Sequence, residues 1–240
     1  IISVAVAAAG AGTGAGGAAV SYNYIGGDPG NPSREVPADP NAAGAGYVLS
    51  YIDGATVDAK GGDVNVGARA NAKIVNLTIG GAGAGTAALA GSISINFMRN
   101  VVSAQIKGGA DVDAGSNVNV LATTKPFMAI VAGAGSGAGT AAVGIASATN
   151  DMVSDVNASI EGTSTKVTAD NGNVVVKAAI EKSTDVLGIN LGTDAPDFDA
   201  QIWSFAISGS GAGTAAGAGS LSLNWIRNNI RAHVSAGAEV

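Results

Sequence analysis

The chain contains no cysteine among its 240 residues. That excludes a disulfide framework, a thiolate metal site and a cysteine nucleophile. It contains one histidine, His233, in the run RAHVSA on a predicted strand. That histidine could pair with Ser235 or a carboxylate, but no supporting motif surrounds it, so it reads as a surface or edge residue. Charge is scarce. Asp, Glu, Lys and Arg make up 12% of residues, against about 25% in an ordinary domain. The net charge of −6 and a pI near 4.6 exclude a basic nucleic-acid footprint. No apolar run reaches the roughly 18 residues of a membrane helix without a glycine break. No basic segment or initiating Met marks a signal peptide. The chain starts inside an alternating run at Ile1 and reads as a stretch of something longer.

Aromatics are also few, at 4%. Glycine contributes 37 residues, and the apolar content is mostly Ala and Val. Such a chain cannot fill a wide core with bulky side chains. It suits thin, closely stacked layers. The run GAGT occurs at Gly10–Thr13, Gly83–Thr86, Gly137–Thr140 and Gly211–Thr214. Ten residues after each of Thr13, Thr86, Thr140 and Thr214 stands an asparagine: Asn23, Asn96, Asn150 and Asn224. The repeat units are 1–73, 74–125, 126–201 and a truncated 202–240. The shortest spacing between successive GAGT threonines, 54 residues from Thr86 to Thr140, marks 74–125 as the bare repeat. Two units carry insertions, Gly26–Gly46 and Leu191–Gln201. They hold five of the six prolines, which collect where strands stop. If the register is regular, the two insertions share one face.

Alternation in SISINF, SLSLNW and VSYNY has period two, so the units are strands. Helical periodicity is absent; NWIRNNIRAHV resembles a short helix locally but is assigned to strand. The expectation is an all-β fold, a β-solenoid (parallel β-helix), with about two coils per unit. Stacked antiparallel hairpins folding back around residues such as Thr13 are the alternative. The glycine-rich runs either pack as silk-like sheets or form the tight inner face of a flattened coil. The threonines and asparagines are candidate ladder residues. By parity Asn96 and Asn224 lie opposite the bulky residues, so an inward ladder needs a turn or bulge, and a plain surface or turn asparagine is the simpler reading. Tyr22, Tyr24, Phe97 and Trp225 are expected in the core.

The second halves of the units, AQIKGGADVDAGSNVNVLA at Ala104–Ala122 and its copy at Ala158–Ala178, resemble repeats of filamentous-haemagglutinin-like and leukotoxin-type filamentous adhesins. The resemblance implies a secreted or bacterial cell-surface shaft without an active site. Its partners would be flanking repeats of the same chain or neighbouring fibre subunits, and a host or matrix receptor. No nucleic acid, no transmembrane segment and no cofactor are expected. Candidate contact residues are Asp28, Arg34, Asp39, Asp194, Asp197, Phe198, Asp199 and Trp203. Asp194, Asp197 and Asp199 are oxygen donors that could gather a hard cation, but they lack the glycine and distal glutamate of a calcium loop. Asp151 and Asp155 are an acidic pair that nothing nominates for glycoside hydrolysis. The alternative functions are a self-assembling extracellular fibre and a polysaccharide- or ice-binding solenoid. An ice face needs regular threonine arrays, and these threonines recur only once per unit.

Overall fold

The computed structural model describes residues 1–26, 46–182, 201–235 and 237–240, with the backbone of 185–186 and 189–190. The first repeat forms β1 (Ile2–Ala11), β2 (Gly14–Ile25), β3 (Tyr47–Asp53), β4 (Thr56–Ala59) and β5 (Val64–Ala70). The second forms β6 (Lys73–Ala84), β7 (Ala87–Lys107), β8 (Asp111–Ala114) and β9 (Val118–Thr124). The third forms β10 (Phe127–Ala138), β11 (Ala141–Glu161), β12 (Lys166–Ala169) and β13 (Val174–Ile180). A small antiparallel pair follows, β14 (Asp185–Val186) and β15 (Ile189–Asn190). The fourth repeat supplies β16 (Ile202–Ala212) and β17 (Ala215–Ser235). No helix occurs among the described residues.

Each repeat places one strand in each sheet. The first sheet has the order β1-β6-β10-β16, and the second runs β17-β11-β7-β2, with β3 continuing the β2 position on β7. The third and fourth sheets are β12-β8-β4 and β13-β9-β5. All four are parallel. This is an all-β, parallel-sheet architecture consistent with a β-solenoid-like fold, with open sheets. β1 and β2 do not pair with each other around Thr13; each pairs in parallel with the next repeat, which removes the antiparallel-hairpin alternative. One repeat is also one layer, not two coils: Asn96 is the direct neighbour of Asn150, 54 residues later. Two coils per unit would need short strands, whereas β7 and β11 run for 21 residues each.

Those long strands serve two lobes. Their C-terminal halves enclose a conventional core with the third and fourth sheets, built from Val102, Ile106, Val112, Val118, Val120 and their stacked equivalents. Their N-terminal halves lie flat against the first sheet. There the backbones approach so closely that a Cβ on Gly80 would overlap the Gly91 carbonyl oxygen, and one on Gly17 the Gly81 oxygen. The glycine-rich runs therefore form a flattened lobe, with Gly17 and Gly80 at its tight inner contact.

That narrow gap reverses the expected polarity of the strands. Toward the GAGT turn only small and short polar side chains fit inside, among them Ser21, Asn23, Asn76, Thr78, Ser92, Ser94 and Asn96, while Ile74, Met98, Met128, Ile130 and Met152 fill the wider end. The bulky alternates face outward. Tyr22 is 53% exposed, Ile93 46% and Trp225 42%, while Tyr24 and Phe97 are half-buried on the same outer face. The expectation that these aromatics form core is corrected accordingly. No turn or bulge is needed to bring the asparagines inward, because the bulky side is the outer one.

Candidate functional site

The most ordered chemistry lies inside the thin lobe. Asn23, Asn96, Asn150 and Asn224 occupy one register column of the second sheet. Asn23 Nδ2 donates to Asn96 Oδ1, Asn96 Nδ2 to Asn150 Oδ1, and Asn150 Nδ2 to Asn224 Oδ1, each at 2.8 Å. The ladder is cross-braced to the facing sheet. Asn76 Nδ2 donates to Asn96 Oδ1 at 3.0 Å and to Ser94 Oγ at 2.7 Å, and Asn150 Nδ2 donates to Ser204 Oγ at 2.9 Å. A primary amide has two donors and one two-lone-pair acceptor. Parallel stacking therefore lets each asparagine donate forward and accept from behind.

Thr13, Thr86, Thr140 and Thr214 mark the connection between the two sheets of the thin lobe. Their backbones stack: Thr86 N donates to Thr13 O at 3.0 Å, and Thr140 N and Thr214 N donate to the preceding threonine oxygens at 3.1 Å. Their side chains are exposed. They stand in successive layers rather than in every second one, but they form a column only one residue wide.

The strongest charge cluster sits on the outer side of the second sheet. Arg99 and Asp151 are 2% and 0% exposed. Arg99 Nη2 lies 3.1 Å from Asp151 Oδ2, and Arg99 Nη1 donates to the backbone oxygens of Met98 and Asp151 at 3.0 and 3.1 Å. Arg227 Nη2 approaches the same carboxylate oxygen at 3.5 Å from the next layer. The Arg99 guanidinium also lies 5.7 Å from the Phe97 ring centre, within cation–π range. Asp155 is engaged separately, by Arg231 at 3.4 Å. Both members of the acidic pair are thus held by arginines. His233 Nε2 lies 3.9 Å from Glu161 Oε2.

A second polar column runs along the turn between the third and fourth sheets. Asp63 Oδ1 accepts from Asn117 N at 2.9 Å, and Asn117 Oδ1 accepts from Asn173 N at 3.0 Å. The backbone donor of Asn117, with the Ser116 and Asn117 side chains, holds the Asp63 carboxyl below its usual range. Glu181 is lowered as well, chiefly by its hydrogen bond to Lys125, 3.1 Å away, against the opposing effect of burial. Among the described residues no cluster of three His, Cys, Asp or Glu side chains could hold a metal ion. Nor, among the described residues, is any helix long and apolar enough to cross a membrane.

The predicted contact residues separate into two groups. Asp28, Arg34, Asp39, Asp194, Asp197, Phe198 and Asp199 lie outside the described residues. Trp203 is on β16, half-buried on the outer face of the first sheet, in register with Ala129. The insertions do not leave from equivalent places. The first interrupts the second-sheet strand between Ile25 and Tyr47, which pair with Met98 and Val101. The second falls between β13 and β16, where only Lys125 and Pro126 separate β9 from β10. They interrupt different strands of the layer, yet Gln201, at the end of the second, accepts from Asn228 Nδ2 at 3.3 Å in the register column where the first leaves. Gly26 and Gly46 hold the first insertion closed. Their φ values are +66° and +58°, a region other residues enter at a steric cost. A Cβ on Gly46 would sit 2.6 Å from the Gly26 Cα.

Single-strand reasoning missed the Arg99–Asp151–Arg227 cluster. The signal emerges only when units are aligned, with Arg99, Val153 and Arg227 in one column and Phe97, Asp151 and Trp225 in another. Comparison of the chain with protein-family models, curated proteins and solved structures returned no match.

Proposed function

We propose that this chain is a stretch of β-solenoid serving as shaft in a large secreted or cell-surface bacterial adhesin, with a mechanical rather than a catalytic role. The observation that carries the reading is the asparagine ladder running unbroken through four layers. Amides that each donate forward and accept from behind resist shear between layers. Axial backbone bonds from four parallel sheets resist extension. The repeat resemblance to filamentous adhesins supports the surface location. The insertions Gly26–Gly46 and Leu191–Gln201 are the segments such a shaft would display to a host or matrix receptor.

A direct test is a head-to-tail fusion of two copies, examined by small-angle scattering. A shaft should lengthen by about 4.8 Å per added layer at constant cross-section. A fusion that widens instead would go against the reading. Surface display is tested by adhesion of coated beads to host cells or matrix; adhesion that survives removal of both insertions would remove them as contact sites. The fibre-subunit reading has its own support. Ile226 and Ile230 on β17 are 46% and 48% exposed, a surface that a further layer would cover, from this chain or from a neighbour.

A further inference from the structure

The outer face of the first sheet carries a shape that a soluble layer does not need. Five outer positions on each of β1, β6, β10 and β16 form five register columns. Every one of those positions is apolar, aromatic or glycine, with no charge. The columns divide the face in two. Toward the start of the strands it is bulky, with Ile2, Val4 and Val6 exposed at 82%, 64% and 64%, and Phe205 and Ile207 at 53% and 63%. Toward the GAGT turn it is nearly bare: Gly81, Gly83, Gly135, Gly137, Gly209 and Gly211. A Cβ added at Gly83, Gly135, Gly137, Gly209 or Gly211 would meet nothing within 4 Å. These glycines are therefore not required by packing within the chain. The contrast with Gly80, on the inner side, is direct.

A ridge beside a trough of similar length is self-complementary. If a second copy is turned about a two-fold axis that lies in the interface, perpendicular to the strands, each ridge seats in the other's trough. Ten residues of strand at about 3.3 Å and four strands at about 4.8 Å give a face of about 600 Å². A pair would bury about 1,200 Å², within the range of specific interfaces and above the roughly 1,000 Å² such an interface should clear.

We propose that the outer face of the first sheet is a lateral pairing surface, on which a second copy of this chain docks face to face, ridge into glycine trough. This goes beyond the shaft reading and stands apart from it: the two fail separately, since a shaft that remains monomeric is still a shaft. Because the trough glycines have open space above them, they provide an unusual test. The double variant Gly83→Leu/Gly135→Leu adds apolar surface without an internal clash. It should keep the wild-type circular dichroism and denaturation midpoint while weakening pairing at least ten-fold in sedimentation equilibrium. Val131→Glu, on the ridge side, should do the same. Small-angle scattering of the wild type should show the cross-section growing with concentration while the length stays constant.

The proposal is overturned if the wild type is monomeric throughout the concentration series. It is also overturned if the leucine variant associates as well as or better than wild type, which would mean unspecific apolar sticking. Growth in length alone would place the contact at the ends of the stack. Association only with phosphatidylcholine vesicles would make the face a lipid surface. If the leucines unfold the chain, Val131→Glu decides by the same outcomes.

Discussion

Asn96 is the point at which the inner ladder can be weighed. Its Oδ1 accepts from Asn23 and Asn76, and its Nδ2 donates to Ser94 and Asn150, at 2.8 to 3.0 Å. Asn96 itself is 0% exposed. In Asn96→Ala, Asn23 and Asn76 each keep one partner, Ser21 and Ser94, but lose another. Asn150 Oδ1 loses the donor that reaches it from the layer before. One orphaned buried acceptor costs about 1–3 kcal/mol, and two half-satisfied donors bring the total to about 3–5 kcal/mol. The structure contains its own control. Asn119 Nδ2 donates to Asn65 Oδ1 at 2.9 Å in an exposed pair with the same 54-residue spacing. Water replaces that bond, so Asn119→Ala should cost about 0.5 kcal/mol or less. Guanidinium denaturation followed by far-UV circular dichroism measures both, with equal m-values as the condition for comparison. Equal losses for the two variants would refute the reasoning, because burial would then add nothing to an amide ladder. Asn96→Asp sharpens the point. Its carboxyl is buried without a cation, so its folded pKa lies above the unfolded value. The variant should be least impaired in acid and lose stability as pH rises from the usual carboxylate range up through the raised folded value.

Four further outcomes follow from the same geometry. Asp151→Ala removes the carboxylate that Arg99 Nη2 meets at 3.1 Å and should cost about 3–5 kcal/mol in chemical denaturation; a loss below about 1 kcal/mol would mean that this buried ion pair adds little. Gly80→Ala drives a methyl into the Gly91 carbonyl and should cost about 3 kcal/mol or more, whereas Gly135→Ala should be neutral within about 0.5 kcal/mol; thermal midpoints in the reverse order would invalidate the flattened lobe. Glu181 is held below its usual pKa, so its contribution is present above the usual glutamate range and is lost as pH falls through the lowered value. Glu181→Gln should flatten that part of an acid titration of stability, and an unchanged titration would count against the Lys125 contact. Replacing Gly26–Gly46 by Arg-Asn, the pair that occupies those positions in β7, should leave the chain folded by circular dichroism; loss of the β signal would show that the segment is structural.

Period-two alternation was sufficient to read the strands, and the GAGT spacing was sufficient to read the repeats. The constant interval between Thr and Asn was enough to nominate the ladder residues. The direction of the strands was not legible, because alternation specifies two faces and not which is inner. At the GAGT end that choice was made by Gly80 and Gly91, whose backbones meet; beyond Asn96 the gap widens enough to take Met98, Met128 and Ile130. Neither was the size of a layer: a 54-residue unit fits two short coils or one broad one, and only the unbroken run from Ala87 to Lys107 decides. Asp151 looked like one of a pair of free acids because its arginines come from the layers before and after it.

The closure at Gly26 and Gly46 has a consequence for how such a chain can vary. The second sheet passes from Ile25 to Tyr47 as though two residues stood between them, and the neighbouring strand supplies the hydrogen bonds on both sides. Whatever leaves through that gap need only return to the same point. The scaffold thus behaves as a socket with a fixed footprint, separating the part that must stack from the part that is free to diverge. A peptide or small domain with adjacent termini could be grafted there without disturbing a single rung of the amide ladder.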